Sequence, residues 1–321
     1  MMTPLHPERT KTVDYSIMPM FHTAGYMLLG LPTFYEGGVV IPVPIFDAEW
    51  TLKIMQDYKV TVILGPPTLF IALMDHPKFK SYDLSSLNRV IACGAPVPPP
   101  VQEKWNRLSP CPTALGAGWG MTETNSPGSG CSWKHFLLDS IGVPVAAEMK
   151  ICDDESNVLP RGQTGEIYFR GPQVCKGYWN KPEETKETFL PDGWMKTGDL
   201  GYIDEESFVH FVDRKKDLII ASGYNVAPVE VENVIYQHPA VLETTVIGTT
   251  DPYRGETVKA FVSLRDEYKG KVTEQEIIDF CKDKLATFKR PRVVEFLDEI
   301  PKNVVGKSLR RVLREQEAQK K

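Results

Sequence analysis

The alternation of helical and strand-like segments in the first third of the chain most constrains how it can fold. Apolar residues recur at helical spacing over Glu49–Tyr58, Thr68–Met74 and Val101–Leu108. Short apolar runs lie between them at Val60–Leu64 and Val90–Ala92, and such runs are typical of buried strands. Strands that alternate with helices form a parallel sheet covered by helices on its faces. Residues 1–139 are therefore predicted to belong to one α/β subdomain.

The rest of the chain is predicted to form two further units. Helical periodicity fades over residues 140–213, where strands lie between Gly, Pro and Asp turns, as in a small β-barrel or sandwich. The strands predicted there are Glu148–Ile151, Glu166–Phe169 and Phe208–Val212. Residues 217–321 are predicted to be a compact α+β domain. Its helices are predicted at Val229–Tyr236, Glu274–Leu285 and Ser308–Gln319, and its strands at Thr244–Ile247, Val258–Leu264 and Val293–Leu297.

Composition excludes several classes of protein. A net charge of -5 gives no basic excess that would draw the chain to nucleic acid or to an anionic membrane. The most apolar stretch, Ala24–Phe46, is broken by prolines and glycines, so it predicts a strand–turn–strand region and no transmembrane segment. The first residues lack the apolar core of a signal peptide. None of the six cysteines forms a C-x-x-C pair, which favours reduced thiols and a cytoplasmic location.

One segment combines a carboxylate with glycines in the way that a ribose site requires. Asp199 lies in Gly193–Gly201, where the glycines predict a tight turn, and Arg214 follows after one predicted hairpin. A carboxylate accepts two hydroxyl donors, which suits the 2′- and 3′-hydroxyls of ribose. Arg214 presents fixed donors to an acceptor-rich nucleotide. A turn with a surface ion pair is the alternative explanation of the same residues.

Four further strings occur in order along almost the whole chain, and together with this segment they resemble the adenylate-forming acyl-CoA synthetases. They are Pro19-Met20-Phe21-His22, Cys93-Gly94-Ala95-Pro96, Gly118-Trp119-Gly120-Met121-Thr122-Glu123 and Pro301-Lys302-Asn303-Val304-Val305-Gly306-Lys307. The resemblance implies a ligase that uses ATP, Mg²⁺ and coenzyme A. It also implies that Asp199 and Arg214 hold the ribose.

The resemblance gives the third string a role at the nucleotide. Thr122 would donate its hydroxyl to a phosphate, and Glu123 would hold Mg²⁺, which prefers carboxylate oxygen. Trp119, where the family usually has Tyr, would offer its flat face to adenine, and Gly120 belongs to the same nucleotide site. A tight turn followed by a helix N-terminus accounts for the same residue types about equally well.

The resemblance also implies an acyl pocket. Gly94, Ala95 and Pro96 follow a predicted strand end and would line the adenine and acyl sites, although a plain turn explains them as well. The segment from Ala114 to Gly118 is predicted to lead into another turn, and Gly118 would leave room for an acyl chain. His22 would border the acyl tunnel and Tyr26 its mouth. A lone histidine beside apolar residues is otherwise more often a core residue.

The remaining implied residues concern domain rotation and the second half-reaction. Lys216 matches the hinge position of the family, so residues 214–216 are predicted to be the hinge between two orientations of the C-terminal domain. Gly223 and Tyr224 would approach the pantetheine arm of CoA, with a simple β-turn as the alternative. Lys307 would stabilise the charge that develops between the substrate carboxylate and the α-phosphate. A nearby basic cluster could meet CoA phosphates or face water, and it consists of Arg310, Arg311 and Arg314.

One family feature is not found in the sequence. Nothing in residues 1–18 resembles the Ser/Thr/Gly-rich phosphate loop, and Thr10, Lys11 and Thr12 lack the glycines of a backbone nest. The expected fold is therefore the remainder of a parallel-sheet N-terminal domain with a small β-barrel subdomain, followed by the small α+β domain. A truncated gene, a fragment, or a split gene whose separate N-terminal chain supplies the loop would each explain this.

The amino-acid sequences of three segments favour a medium- or long-chain fatty acid as the substrate to be joined to CoA. The segments that favour it are Ser222–Val226, Asp251–Glu256 and Gly306–Arg311. An aryl-acid CoA ligase is the nearest alternative. A non-catalytic remnant that binds nucleotide or a partner chain is an alternative of a different class. No nucleic-acid partner is expected.

Overall fold

The computed structural model of the protein describes residues 11–111, 113–131, 136–303 and 306–320. The chain divides into two compact units. The first comprises Met1–Thr197 and Gly201–Phe211, and the second comprises Gly198–Leu200 and Val212–Lys321. The subdomain boundary at residue 140 and the hinge at 214–216 stay predictions.

The first unit contains a seven-stranded sheet with the strand order β2-β1-β3-β4-β5-β6-β7. Strands β1 to β5 pair in parallel, and β6 and β7 continue the sheet as antiparallel strands. The strands are β1 (Val13–Ser16), β2 (Val39–Pro42), β3 (Val62–Gly65), β4 (Arg89–Ala92), β5 (Gly116–Trp119), β6 (Ser129–Gly130) and β7 (Val143–Pro144). The predicted parallel sheet is confirmed.

Four α-helices accompany this sheet. They are α1 (Leu31–Tyr35), α2 (Ala48–Asp57), α3 (Pro67–Asp75) and α4 (Pro99–Leu108). Asp47 caps α2 by accepting a hydrogen bond from the Trp50 N–H at 2.8 Å. Trp105 of α4 is fully buried, with its ring 5.3 Å from that of Phe70 and 5.6 Å from that of Phe79. These ring contacts pack α4 against α3 and against the 3₁₀ turn that begins at Phe79.

A second sheet of four strands has the order β11-β10-β9-β8. Its elements are β8 (Glu148–Cys152), β9 (Gly165–Arg170), α5 (Pro182–Thr188), β10 (Met195–Ile203) and β11 (Val209–Arg214). Residues 198–200 of β10 and 212–214 of β11 count with the second unit. The described strands therefore form an open four-stranded path in the region where the sequence predicts a small barrel or sandwich.

The second unit is an α+β domain built on a long antiparallel pair. Its elements are β12 (Ile219–Ala221), β13 (Tyr224–Val226), α6 (Pro228–Ile235), β14 (Val241–Asp251), β15 (Gly255–Leu264), α7 (Glu274–Phe280), β16 (Val293–Phe296) and α8 (Arg310–Gln319). Strand β15 pairs with β12, β14 and β16, and only the last of these pairings is parallel. The predicted helices and strands of this unit are present, although helix α7 ends at Phe280 and the chain continues to Leu285 in tighter turns.

The strand–turn–strand prediction for Ala24–Phe46 is wrong over its first half. Ala24–Gly30 form a π-helix that continues directly into α1, and only β2 is a strand. Pro32 lies in the first turn of α1, just after the π-helix, and the helical backbone runs through it. A Cβ at Gly25 would lie 2.4 Å from the Pro19 oxygen, so only glycine allows this close packing. Within the described ranges, no helix is long and apolar enough to cross a membrane.

One predicted turn is a strand in the structure. Asp199 lies inside β10, where Gly198 takes a left-handed conformation with a φ of 71° without ending the strand. The segment Ala114–Gly118, which is predicted to lead into a turn, runs into β5 (Gly116–Trp119), and the 3₁₀ turn Thr122–Thr124 follows. At Asp199, Gly198 signals a turn in the sequence, yet β10 continues through it beside its neighbouring strands.

Candidate functional site

Asp199 and Arg214 lie side by side in the second unit. They come from the adjacent strands β10 and β11, and the Arg214 Nε is 3.4 Å from Asp199 Oδ1. The Asp199 side chain is 8% exposed and that of Arg214 is 39% exposed. The pair therefore joins a nearly buried acceptor to a donor that solvent reaches. This geometry can receive a vicinal diol with an anionic substituent.

Lys307 is the third charged residue at this place. Its half-buried side chain is surrounded by four charged groups of the same unit: Asp199, Arg214, Asp217 and Arg310. Burial, followed by the charge of Arg214, lowers the pKa of Lys307 to about 8, although Asp199 opposes the shift. An anion bound here would favour the charged form of Lys307 and raise this pKa.

The other predicted residues of the second unit lie on its surface. Lys216 is exposed in a single 3₁₀ turn, Lys215–Asp217. Gly223 follows Ser222 in the two-residue turn between β12 and β13, and both have positive φ values, 81° and 54°. Tyr224 is 56% exposed, and its ring stacks on Phe288 with the ring centroids 4.4 Å apart. The β-turn foreseen as the simple alternative for this loop is present.

In the first unit, two predicted groups follow neighbouring parallel strands. Gly94, Ala95 and Pro96 form the loop after β4, and Gly94 has a φ of 82° that favours glycine. Gly118 and Trp119 end β5, which pairs directly with β4. The carboxyl ends of these strands therefore adjoin, which is where ligands of parallel sheets bind.

The Thr122–Thr124 segment is a 3₁₀ turn after β5 and Gly120. Thr122 is exposed and Glu123 is half-buried. Tyr178 donates its hydroxyl to Glu123 Oε1 at 2.7 Å, and the Cys175 N–H donates to the Glu123 backbone oxygen at 2.9 Å. Burial, followed by this hydrogen bond, raises the pKa of Tyr178 to about 12. The Glu123 carboxylate is thus held in one orientation.

His22 and Tyr26 flank the start of the π-helix. The His22 backbone oxygen accepts from the Tyr26 N–H at 3.0 Å, and its Nδ1 accepts from the Ala24 N–H at 3.1 Å. Tyr26 is 50% exposed. The hydroxyl oxygens of Thr23 and Ser126 are 3.5 Å apart, so this segment adjoins the loop that follows Glu123.

Sequence reasoning missed two groups that organise these residues. Tyr178 holds Glu123 across 55 positions of the sequence and lies outside the predicted motifs. Arg310 and Arg314 pair with carboxylates, Arg314 with Asp217 at 2.8 Å, and these pairings are not evident from the sequence. The Arg314 side chain is 36% exposed. The predicted motif residues Val304, Val305 and Thr10 lie outside the described residues.

The Glu123 environment suits a magnesium ion that is shared with phosphates. Mg²⁺ is commonly bound by one or two carboxylates together with phosphate oxygens of the substrate and water. Tyr178 hydrogen-bonds to Oε1 of Glu123, and the carboxylate has a second oxygen for a cation. No group of three or more His, Cys, Asp or Glu side chains that could hold a metal by itself occurs in the described part of the chain. The residues therefore fit an ion that arrives with a nucleotide.

Family models match most of the chain. The model of the AMP-binding enzyme family matches residues 2–179, and that of the AMP-binding enzyme C-terminal domain matches residues 230–307. A long-chain-fatty-acid–CoA ligase of Bacillus subtilis is 43% identical over 94% of this chain and 54% of its own length. A feruloyl-CoA synthase of an Amycolatopsis species is 37% identical over 91% of this chain and 59% of its own. The chain thus spans somewhat more than half the length of these relatives.

A solved structure agrees with this relationship. ATP-bound MatB from Rhodopseudomonas palustris superposes with a TM-score of 0.89 at 33% identity. The match covers 97% of this chain and 61% of MatB.

Proposed function

The chain belongs to the AMP-binding enzyme family, and on that premise we propose that it serves the ATP-dependent joining of a long-chain fatty acid to CoA through an acyl-adenylate. The fatty-acid relative at 43% identity supports this substrate class. The feruloyl-CoA synthase at 37% identity supports an aryl acid as the second candidate. We further propose a cytoplasmic location, because all six cysteines are free thiols.

The observation that carries the proposal is the cluster of Asp199, Arg214 and Lys307. Asp199 would accept hydrogen bonds from the ribose hydroxyls, and Arg214 would donate to the nucleotide beside it. Lys307 would place its ammonium where negative charge accumulates as the fatty carboxylate attacks the α-phosphate. Groups that stabilise developing charge in this way commonly supply the largest catalytic term.

In the first unit we propose that Glu123 holds Mg²⁺ while Thr122 donates to a phosphate. The ion, when bound, would neutralise phosphate charge. Trp119 and Gly120 would contact the adenine side of the nucleotide. Tyr178 keeps the carboxylate of Glu123 turned toward one direction.

The acyl chain and CoA would use other predicted residues. Gly94, Ala95, Pro96 and Gly118 would border the adenylate and the acyl chain, and His22 and Tyr26 the entrance of the acyl pocket. Gly223 and Tyr224 would meet the pantetheine arm after a rotation at Lys216.

Two half-reactions test the proposal. Formation of the acyl-adenylate from ATP would be followed by pyrophosphate exchange, with palmitate and ferulate as competing acids. The protein would be measured alone and with the N-terminal segment of a related ligase. Thioester formation would be measured separately from preformed palmitoyl-AMP and CoA. We expect palmitate to be preferred in both; preference for ferulate would favour the aryl candidate, and inactivity in both would favour a non-catalytic binding protein.

Lys307→Ala gives the corresponding mutational test. We expect adenylate formation to fall ~10²-fold or more, because one group that stabilises developing charge is lost. Thioester formation from preformed palmitoyl-AMP should change much less. Lys269→Ala, which removes an exposed lysine paired with Asp266, is the matched control. Equal losses in both half-reactions would argue against this role of Lys307.

A further inference from the structure

Lys307 lies in a short hairpin that ends next to helix α8. The Asn303 N–H donates to the Lys307 backbone oxygen at 2.9 Å, and the Lys307 N–H donates to Asn303 Oδ1 at 2.9 Å. The Leu309 N–H donates to the Pro301 oxygen at 2.8 Å and closes the base of the hairpin. These hydrogen bonds join residues 301–303 to residues 307–309 and hold Lys307 close to the start of α8.

Arg310 follows this base directly and is anchored by acidic side chains. One of its NH groups donates to Asp213 Oδ1 at 3.0 Å, and the other donates to both oxygens of Glu232 at 2.9 and 3.0 Å. Asp217 Oδ2 lies 3.6 Å away. Burial lowers the pKa of Arg310, but the charges of Glu232 and Asp213 outweigh it and the pKa lies above its ordinary value. Arg310 therefore stays charged.

The carboxylate that holds Arg310 also holds the backbone of the ribose arginine. Asp213 Oδ1 accepts from the Arg214 N–H at 2.8 Å. Asp213 Oδ2 accepts from the Val229 N–H at 2.8 Å, at the first turn of α6. One buried carboxylate thus joins the end of β11, the start of α6 and the residue beside the Lys307 hairpin.

We propose that Arg310 is a positioning residue that fixes Lys307 and Arg214 relative to each other for adenylate formation. The inference rests on the proposed function, which assigns both cations to the nucleotide. Two elements distant in sequence, β11 and the hairpin before α8, carry these cations, and Arg310 is the side chain that links them through Asp213. Its guanidinium donates to carboxylates in two directions, a geometry that a lysine ammonium does not reproduce.

Arg310 also acts on Lys307 through its charge. Burial lowers the pKa of Lys307 most, then Arg214, and then Arg310, while Asp199 and Asp217 raise it. Loss of the Arg310 charge should therefore raise the pKa of Lys307, and so should a loosened hairpin that exposes Lys307 to water. Both changes raise the pKa of Lys307, so a single titration of Lys307 detects either of them.

Two variants separate the effect of Arg310 on the position of Lys307 from the effect of its charge. Arg310→Gln removes both the Arg310 charge and its hydrogen bonds to Asp213 and Glu232. Glu232→Gln keeps an oxygen for the Val246 N–H and leaves the Arg310 charge in place, but it weakens the hold on Arg310. Arg311→Gln is the matched control, because the next residue of α8 is 82% exposed and pairs only with Glu315 among the ion pairs of the described residues.

The first readout is the pH dependence of acetic anhydride labelling at Lys307, measured by mass spectrometry on the folded protein. We expect Arg310→Gln and Glu232→Gln to move the labelling midpoint to higher pH, and Arg311→Gln to leave it unchanged. The second readout is the ratio of the two half-reactions with palmitate. We expect Arg310→Gln to lower adenylate formation by ~10²-fold, as small misplacements of catalytic groups do, and thioester formation far less.

The outcomes distinguish this inference from the function on which it rests. If Lys307→Ala lowers adenylate formation but both Arg310→Gln and Glu232→Gln match Arg311→Gln, the positioning role is overturned and the function stands. If Lys307→Ala has no effect, the function fails, and the labelling midpoint alone decides whether Arg310 holds the hairpin. An equal fall in both half-reactions with an unmoved labelling midpoint would reduce Arg310 to a general stabilising residue and overturn the proposal.

Discussion

Two strands of this protein each bury an aspartate completely, and the two carboxylates differ in their hydrogen-bond partners. Asp213 at the end of β11 accepts hydrogen bonds from two backbone N–H groups and from Arg310. Asp14 in β1 has no hydrogen-bond partner for either oxygen within the described residues. Burial raises the pKa of Asp14 to about 7, with Arg89 opposing the shift. Donors thus surround the Asp213 carboxylate, whereas burial without donors favours the protonated form of Asp14.

Removal of the paired carboxylate should give the largest effect on stability. Asp213→Asn leaves Arg310 buried with one partner fewer, and breaking a buried charge pair typically costs about 3–5 kcal/mol. Urea unfolding monitored by circular dichroism would measure the free energy of unfolding. If Asp213→Asn lowers the free energy of unfolding by less than about 1 kcal/mol, water stabilises Arg310 in place of Asp213. The contrast with Asp14 would then disappear.

Asp14→Asn should change stability in the opposite direction at high pH. A carboxyl whose folded pKa is raised supports the fold below pH 4, and this contribution is lost as the pH rises toward about 7. Asparagine cannot ionise, so at pH 8 the variant should be more stable than the parent by about 1–3 kcal/mol, after the cost of its own unpaired amide. At pH 5 the difference should nearly vanish. Parallel pH profiles for both proteins would contradict this account of Asp14.

Tyr178→Phe should affect metal use more than stability. The hydroxyl donates to Glu123 at 2.7 Å, and outer groups that orient a metal ligand typically change metal affinity by ~10-fold or more. We expect a higher Mg²⁺ concentration at half-maximal adenylate formation. Mg²⁺ titration of the intrinsic tryptophan fluorescence in the presence of AMP provides a readout that does not need turnover. Unchanged Mg²⁺ dependence would show that the hydrogen bond serves packing alone.

The smallest expected effect on the free energy of unfolding is for substitution of exposed aromatic residues between β1 and β2. Several aromatic side chains between β1 and β2 are strongly exposed, among them Phe21 (82%), Phe34 (60%) and Tyr35 (92%). Clusters of exposed apolar side chains favour association. Tyr35→Ser should leave the free energy of unfolding within about 0.5 kcal/mol and reduce concentration-dependent association in sedimentation velocity. Association unaffected by Tyr35→Ser and Phe21→Ser would exclude this surface.

Sequence patterns predicted the fold wherever local periodicity decides it. Helix α2 and strand β3 follow from spacing alone, and the parallel sheet follows from their alternation. The π-helix was missed because Pro32, Gly37 and Gly38 signal breaks, whereas Pro32 lies in the first turn of α1 and both glycines follow that helix. Asp199 was placed on a turn because Gly198 lies beside it, and only the neighbouring strand shows that the backbone is extended.

The site residues were predictable only where a motif contains them. The resemblance pointed to Asp199 and Arg214, and the structure brings their side chains to 3.4 Å, while their role at a ribose stays a prediction. The partners that hold the motifs were not predictable. Arg310 reaches Asp213 across 97 positions of the sequence, and no periodicity encodes a contact of that range.

AMP titration by isothermal calorimetry tests most directly whether the charged cluster of the second unit is a nucleotide site. The comparison is between the parent protein, Asp199→Ala, and Glu205→Ala, which removes an exposed carboxylate from the turn between β10 and β11. We predict that Asp199→Ala weakens AMP binding ~10-fold or more, since a carboxylate that hydrogen-bonds a ligand contributes about 1.5–3 kcal/mol, and that the melting temperature changes little. Glu205→Ala should match the parent. Unchanged AMP affinity with a lowered melting temperature in Asp199→Ala would show that the pair with Arg214 is structural, and would contradict the account.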